Sequence, residues 1–563
     1  MKNKKGTIVI VFIVLAVLVF GVTYLAIYLT RNVGKNTAQV SEESAVASME
    51  RMYKRINIHT LDPVKGNVDL TATDEVVNLP DISKYPVQVD NVTADYVEIF
   101  SSTEKATDNG TDRWLLDMAE AFNASGATVN NQPVSVRIRG IASGVARDYI
   151  SSGTYVPEAF SPSNELWGDA LAASGVKLKL VEKCLTGNVA GIVLSKDKNR
   201  EIINKYGSVS LKSIISAVAN GEINMGYTNP FASSTGANFL MSTLYSFNNS
   251  DPFAEDAVQA FEDFQTNIPF VAYTTLQMKE AVKSGALDGF VYEYQQFVNT
   301  PDFNTYEFTP FGMRHDSPVY ELGDLSAEKE EILQQFIAFC KSAESQKKAS
   351  DYGFNGHSEY TNEIAALNGS ELTKGQKLWK EKKNGNKDII AVFVADISGS
   401  MEGAPLNALK ESLLQGAKYI GSGTSVGLVT FSDDVNIAVP IGKFDLTQRS
   451  LFVGAVESMD AGGATAMFDA IVVAQKMLYD AKADNPNAKL MLFVLSDGET
   501  NAGFDLNDTR KMIEGLRVPI TTIGYNADIR ALSVVSGINE AASINADTDD
   551  VVYQLQNLFN AEM

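Results

Sequence analysis

Cysteine is nearly missing from this chain: two residues, Cys184 and Cys340, in 563. That excludes a disulfide framework, and no C-x-x-C pattern exists for zinc or redox chemistry. Both are expected to be free, buried thiols, since unpaired cysteine behaves as a small core residue. Histidine is scarce too. His59, His315 and His357 are scattered, with no motif that would make any of them a base or a metal ligand. Positive charge is outweighed, with 47 Lys and Arg against 69 Asp and Glu, for a net charge of -22. Such a surface repels phosphate backbones, so nucleic acid is not an expected partner. The glycine-containing turns GTSVG, DAGGA and NAGFD lack the spacing of a phosphate-cradling loop, and no G-x-S-x-G elbow is present. Catalysis therefore has little to stand on, and an enzyme is not expected.

What is present is length and apolar pattern. A chain of 563 residues is too long for one core, and 45% apolar with 21% charged residues is ordinary folded composition. MKNKKG is followed by an uncharged apolar run over residues 7–29. As a helix it would span about 34 Å, enough for the hydrocarbon core of a bilayer. It is longer than the apolar region of a cleavable signal, and no small-residue cleavage site follows closely. The expectation is a single-pass signal anchor with a cytoplasmic stub at residues 1–6 and the bulk of the chain outside the cell membrane. Residues 30–90 read as a tether containing a short charged helix. From there YVEIF, WLLDMAEAFNA, VSVRIRGI and SGVARDYISSG begin an alternation of strand and helix, which argues for an α/β domain over residues 91–360. The Lys- and Gly-rich stretch GQKLWKEKKNGNKD marks a linker over 361–385, and a last α/β domain fills 386–563.

In the middle domain several strands run into Ser- and Thr-rich turns that open helices. They supply Ser101, Ser102 and Thr103, then Ser143, then Ser161 and Asn164, and finally Asn229, Ser233, Ser234 and Thr235. Each is an ordinary capping turn by itself. Four in one domain point to a ligand site, because open sheets bind at the carboxyl ends of their strands and helix starts suit polar or anionic atoms. With these turns, residues 92–360 resemble a bacterial extracellular solute-binding protein of the ABC-importer type. The resemblance implies two lobes and a cleft. KCLTGNVAGIVLSK near 187 is similar to the first crossover and YEFTPFG near 308 to the return. Lobe one would then hold 92–187 and 308–360, and lobe two 188–307. The solute is open, an oxyanion being one candidate, and no cationic clamp is legible.

The segment VADISGSMEG closes an apolar strand with Asp396, Ser398 and Ser400 at alternate positions. GGAT at 462–465 brings Thr465 to a helix start, and a second apolar strand, KLMLFVLSDGET, ends in Asp497. In a parallel sheet, two carboxylates and three hydroxyls would meet at one edge, a set of oxygens suited to a hard divalent cation. Strand–DISGS–helix, GGAT and strand–SDGE together resemble the von Willebrand factor A domain, a doubly wound, Rossmann-like fold, and its metal-ion-dependent adhesion site. The resemblance implies Mg²⁺ (or Mn²⁺ or Ca²⁺) held by Asp396, Ser398, Ser400, Thr465 and Asp497. A protein partner would complete the shell with an acidic side chain. Asp469 and Glu499 read as a helix-surface charge and a solvated charge.

The expected protein is thus membrane-anchored and extracytoplasmic, binding a small solute in a cleft and a protein partner through a metal. The alternatives are an adhesion or assembly scaffold whose solute-binding fold no longer binds solute, and a metal-assisted hydrolase, for which only Glu499 offers a base.

Overall fold

The apolar runs resolve into three sheets. The computed structural model describes residues 40–545 except 63, 69–78, 109, 267, 269, 273–277, 279–281, 283–286, 365–366, 385–386, 422, 499, 526–529 and 539–542, together with Val551, Leu555 and Phe559. Residues 7–29, expected to cross a membrane, and Glu499 lie outside the described residues. Among the described residues, no helix is long and apolar enough to cross a membrane.

The C-terminal sheet is centred on strand Ile389–Asp396, in which every residue is buried. Its apolar run is continuous because both faces are covered. One face packs on a cluster around Phe393, Phe452 and Leu495, the other on one around Val394, Ile471 and Val494. Parallel neighbours flank it, Thr424–Phe431 on one side and Lys489–Ser496 on the other. The chain leaves in one direction and returns on the opposite side, which places a topological switch point at the carboxyl end of the central strand. Asp396 stands there.

This domain reaches back to residues expected in the tether. Helix Glu42–Tyr53, capped by Ser41, buries Ala45, Met49 and Met52 against helices Met467–Asp484 and Leu506–Leu516. Strand Ile58–Thr60 then pairs in parallel with Val435–Lys443 and extends the sheet. Gly66 N donates to Ser450 O at 2.8 Å, and Ser450 Oγ donates to Gly66 O at 2.7 Å. A Cβ at Gly454 would strike the Val64 carbonyl, so the segment lies flat on helix Leu446–Glu457. A free tether over 30–90 is therefore corrected: residues 41–66 belong to the C-terminal core. The charges of SEESAVASMERMY mask an apolar stripe at spacings of three and four, the signature of one buried helix face.

The middle domain has two sheets. The first runs in the order Val87–Val89, Gln132–Gly140, Asp95–Ser101, Ala159–Ser161, Val319–Leu322, Leu178–Glu182. The second runs Phe270–Ala272, Met225–Thr228, Gly289–Glu293, Val189–Ser195, Tyr306–Arg314. The chain crosses from first to second at 183–188. It does not return near 308 as expected. Strand Tyr306–Arg314 pairs antiparallel with Val189–Ser195 as far as Arg314–Val189, so the return falls at 315–318. Both thiols are free, with Cys340 buried beneath the first lobe and Cys184 half-buried at the crossover.

The expected linker contains a structural helix, Gly369–Lys382, closed at its start by a capping box between Asn368 and Glu371. Leu372 and Trp379 are fully buried and Gln376 nearly so. Gln376 Nε2 donates to Pro230 O at 2.8 Å and Trp379 Nε1 to the Tyr227 hydroxyl at 2.5 Å, both in lobe two. Its other side packs on helix Leu166–Ala173 of lobe one. One apolar cluster consequently runs through Phe100 and Trp167 of the first lobe, Tyr227 and Phe311 of the second, and this strap. The lysines suggested a linker, but Lys377 and Lys380 lie on the outer face, Lys382 pairs with Glu262 at 3.0 Å and Lys383 is buried.

Candidate functional site

Two places collect chemistry-bearing side chains. At the C-terminal sheet, Asp396 is fully buried at the end of its strand. Ser398 N donates to Asp396 Oδ1 at 2.8 Å, and the Ser398 and Ser400 hydroxyl oxygens lie 3.1 Å apart. The next strand brings Ser496, whose Oγ donates to Asp396 Oδ2 at 2.5 Å, and then Asp497. The third loop is tied in through backbone. Gly399 N donates to Gly463 O at 3.0 Å and Gly462 N to Ile397 O at 2.9 Å. Gly463 has φ 85°, and a Cβ there would collide with the Asp433 carboxylate, so only glycine allows this approach. Thr465 follows, 2% exposed, with its N–H donating to Asn501 Oδ1 at 2.8 Å. All five residues expected around a cation thus stand at one sheet edge.

The electrostatics of that edge are unfavourable as they stand. Burial pushes the Asp396 carboxyl up to about 6; Asp497 adds to the rise, and hydrogen bonds from Ser398 and Ser496 oppose it. Asp497 Oδ1 is buried without a hydrogen-bond partner. A buried carboxylate oxygen with nothing to accept from costs its desolvation in full. Asp469 is not the surface charge expected. It is half-buried, its Oδ1 accepts from Phe504 N at 2.7 Å, and burial raises its carboxyl.

The second place is a cavity of about 150 Å³ between the lobes. It is lined from lobe one by Ser102, Thr103, Glu104, Ser143 and Ser163, and from lobe two by Ser233, Ser234, Thr235, Glu293 and Gln296. The lobes touch beside it: Gly144 N donates to Ala232 O at 3.3 Å and Trp167 Nε1 to Ser234 Oγ at 2.8 Å.

Residues 391–561 match the family model of the von Willebrand factor type A domain, and residues 106–355 that of the bacterial extracellular solute-binding protein. The chain joins a solute-binding domain to a von Willebrand factor A domain. Over 184 residues it is 30% identical to inter-alpha-trypsin inhibitor heavy chain H1 of Mesocricetus auratus, a match covering 30% of this chain and 20% of that protein. It therefore spans about a fifth of the length of that curated relative. Among solved structures it is similar to a von Willebrand factor type A protein from Catenulispora acidiphila, at 18% identity and TM-score 0.28, covering 31% of this chain and 42% of that one. It is also similar to iron-bound HitA from Pseudomonas aeruginosa, at 17% identity and TM-score 0.36, covering 52% of this chain and 99% of that one.

Within the solute-binding domain, six of the ten expected residues line the cavity: Ser102, Thr103, Ser143, Ser233, Ser234 and Thr235. The other four sit behind it. Ser101 is fully buried in its strand end, and the Ser161 carbonyl accepts from Lys105 Nζ at 3.0 Å. Asn229 Oδ1 caps Phe231 N at 2.9 Å, and Asn164 Nδ2 lies 3.1 Å from His315 Nε2. Sequence reasoning missed the charged members. Lys105 is fully buried, bonded to Ser102 Oγ and paired with Glu104 at 3.6 Å, so a buried cation does stand behind the first turn. Burial lowers the Lys105 ammonium, offset in part by Glu104 and Glu293. Burial would raise Glu104, but Lys105 and the Ser102 hydroxyl hold it below its ordinary value. Glu293 accepts from Thr235 Oγ1 at 2.9 Å, Asn188 Nδ2 at 2.9 Å and His315 Nδ1 at 2.6 Å. His315 N in turn donates to Asn188 O at 2.9 Å, which ties the two crossovers together at the base of the cleft.

The lobe contact gives a direct test. A Cβ at Gly144 would strike the Phe231 carbonyl of the facing lobe. Gly144→Ala should wedge this edge open at a cost of roughly 1–3 kcal/mol. Small-angle scattering should show an increased radius of gyration and thermal unfolding a lower midpoint; unchanged values for both would mean the lobes are not held against each other there.

Proposed function

We propose that the protein is a membrane-anchored, extracytoplasmic binding protein rather than an enzyme. Residues 7–29 hold it in the cell membrane, the solute-binding domain takes a small molecule between its lobes, and the von Willebrand factor A domain binds a protein partner through a divalent cation. The observation that carries the reading is the gathering, from opposite lobes, of seven hydroxyl residues of four separate turns around one cavity.

The residues at the sheet edge fit a cation. Among the described residues, no cluster of three or more His, Cys, Asp or Glu could hold a metal ion. The donor set here is different: two carboxylates with three hydroxyls, and one carboxylate oxygen, Asp497 Oδ1, buried without a partner. Asp396, Ser398, Ser400, Thr465 and Asp497 would hold Mg²⁺, Mn²⁺ or Ca²⁺. The ion would neutralise the two carboxylates and offer an open position to an acidic side chain of the partner. Ser398, Ser400 and Thr465 add no charge, and a further anion would be drawn to the coordination position that this set leaves open.

The scaffold reading has one observation in its favour, the continuous apolar core that joins both lobes and the strap helix. The experiment that separates the two is native mass spectrometry of the purified full chain, followed by calorimetry with whatever compound co-purifies. Binding of that compound in the micromolar range, lost in Thr235→Val, supports the solute-binding function. A chain that carries no compound, and whose melting point no small solute raises, supports the scaffold.

A further inference from the structure

The cavity between the lobes has a charge pattern that narrows its ligand, provided the cleft is the solute site read above. Two carboxylates, Glu104 and Glu293, line it from opposite lobes, and no arginine or aromatic ring does. Lys105 stands behind this wall, and its contacts go to Glu104, Ser102 and the Ser161 carbonyl. The His315 ring does not supply a second. Its Nε2 faces the amide nitrogens of Asn164 and Asn238 at 3.1 Å each, so Nε2 accepts and the single ring proton sits on Nδ1, donated to Glu293. Asp112, which accepts from Gln295 Nε2 at 3.1 Å and from Gln296 and stands near Glu104, adds a further carboxylate, so the wall carries an excess of negative charge. Gln296 adds an acceptor, since its Oε1 is buried and without a partner.

The same cavity also offers attraction for an anionic group. Helices Ser143–Ser152 and Ser234–Phe247, of 10 and 14 residues, begin at its wall from opposite lobes. First-turn N–H groups have no acceptor within their own helix and favour negative atoms. Gly144 N is spent on Ala232 O and Gly236 N on the Ser233 hydroxyl, which leaves those of Ser143, Val145, Ser234 and Thr235 for an anion. Size sets the last limit. About 150 Å³ holds on the order of ten water-sized groups, far fewer than a nucleotide needs.

We propose that the cleft takes a small zwitterion of amino-acid size, its ammonium directed to Glu293, Glu104 and Gln296 and its carboxylate to the two helix starts. An oxyanion, the solute that the turns alone suggested, would have to approach two carboxylates. A simple amine would leave the helix starts without an anion.

The test uses the full chain, freed of bound solute by mild unfolding and refolding, and measures melting temperature and calorimetric binding. The probes are glycine, L-alanine, L-serine and 4-aminobutyrate, then propylamine and propionate as the separated halves, and sulfate, phosphate and molybdate as oxyanions. At least one zwitterion should raise the melting temperature, with each half at least about tenfold weaker. Glu293→Gln should weaken that binding by about tenfold or more. Because Glu293 also holds His315 and Asn188, Gln296→Ala is the second variant; it gives up only its bond to Asp112, so it should weaken binding while moving the unliganded melting temperature less than Glu293→Gln does. Stabilisation by an oxyanion instead, or by propylamine as strongly as by any zwitterion, overturns the proposal and leaves the cleft a solute site. Stabilisation by none of the probes, from a chain that also carries no co-purifying compound, overturns both.

Discussion

Removing residues 40–66 should cost the von Willebrand factor A domain most of its stability. Met49 is fully buried and Met52 is 6% exposed, each against helices of the C-terminal core. Burying a methionine is worth about 1.5–3 kcal/mol. With Ala45, the parallel pairing of Ile58–Thr60 and the Gly66–Ser450 bonds, the loss exceeds about 5 kcal/mol, against a typical total of about 5–15. A fragment of residues 386–563 should therefore unfold at far lower urea than one in which 40–66 is linked to it, and a separate peptide of 40–66 should restore the difference as its concentration rises. In the full chain, Met49→Ala should cost about 2–5 kcal/mol. Equal urea midpoints with and without the segment would show that it merely rests on the surface.

Acidification should strengthen the metal-free domain and abolish its response to metal. The Asp396 carboxyl stands at about 6 in the folded state against an ordinary 3.8, because burial opposes its charge. A raised value means that the folded state binds the proton more tightly. Its contribution is present in full below about pH 4 and is lost as pH rises through about 6, for a total of roughly 3 kcal/mol. Mg²⁺ acts in the opposite direction, binding the ionised form, so its stabilisation should appear only above about pH 6. Asp396→Asn should flatten the pH profile, raise metal-free stability at pH 7 and eliminate the calorimetric heat of Mg²⁺ or Mn²⁺ binding, while leaving the solute-binding domain unaffected. Millimolar Mg²⁺ and Mn²⁺ giving no heat with the unaltered protein would remove the ion from the proposal and leave Ser398 and Ser400 as turn residues.

The sheet edge that carries Asp396 was legible because its residues obey one rule, an apolar strand that ends abruptly in an oxygen-bearing side chain. Asp396 and Asp497 both announce themselves in this way. Glu293 does too, at the end of DGFVYE, and the same rule would have found it. Lys105 was not legible. Its position after Ser102 and Glu104 looks like a solvated helix start, and only the fold, which turns its ammonium onto Ser102 and the Ser161 carbonyl, shows that it is buried. The helix of residues 42–53 and the strap of 369–382 were misread for a shared reason. Each has a narrow buried stripe, Ala45, Met49 and Met52 or Leu372, Gln376 and Trp379, diluted by charges on the remaining faces. Composition reports the average over a helix, whereas docking depends on one face.

The path of mechanical load follows from where residues 41–66 end up. They and residues 389–545 share one core, so the solute-binding lobes are an insertion between two pieces of a single body. Tension applied between residue 40 and the edge that carries Asp396 would run through the C-terminal sheet and its two packed helices, bypassing the lobes. A pull on that edge would thus leave the cleft mechanically slack. The weakest joint on that path is the parallel pair Ile58–Thr60 with Val435–Lys443, only three residues long. Under load this strand and the helix before it would peel first, exposing Met49 and Met52 while the central strands stayed folded.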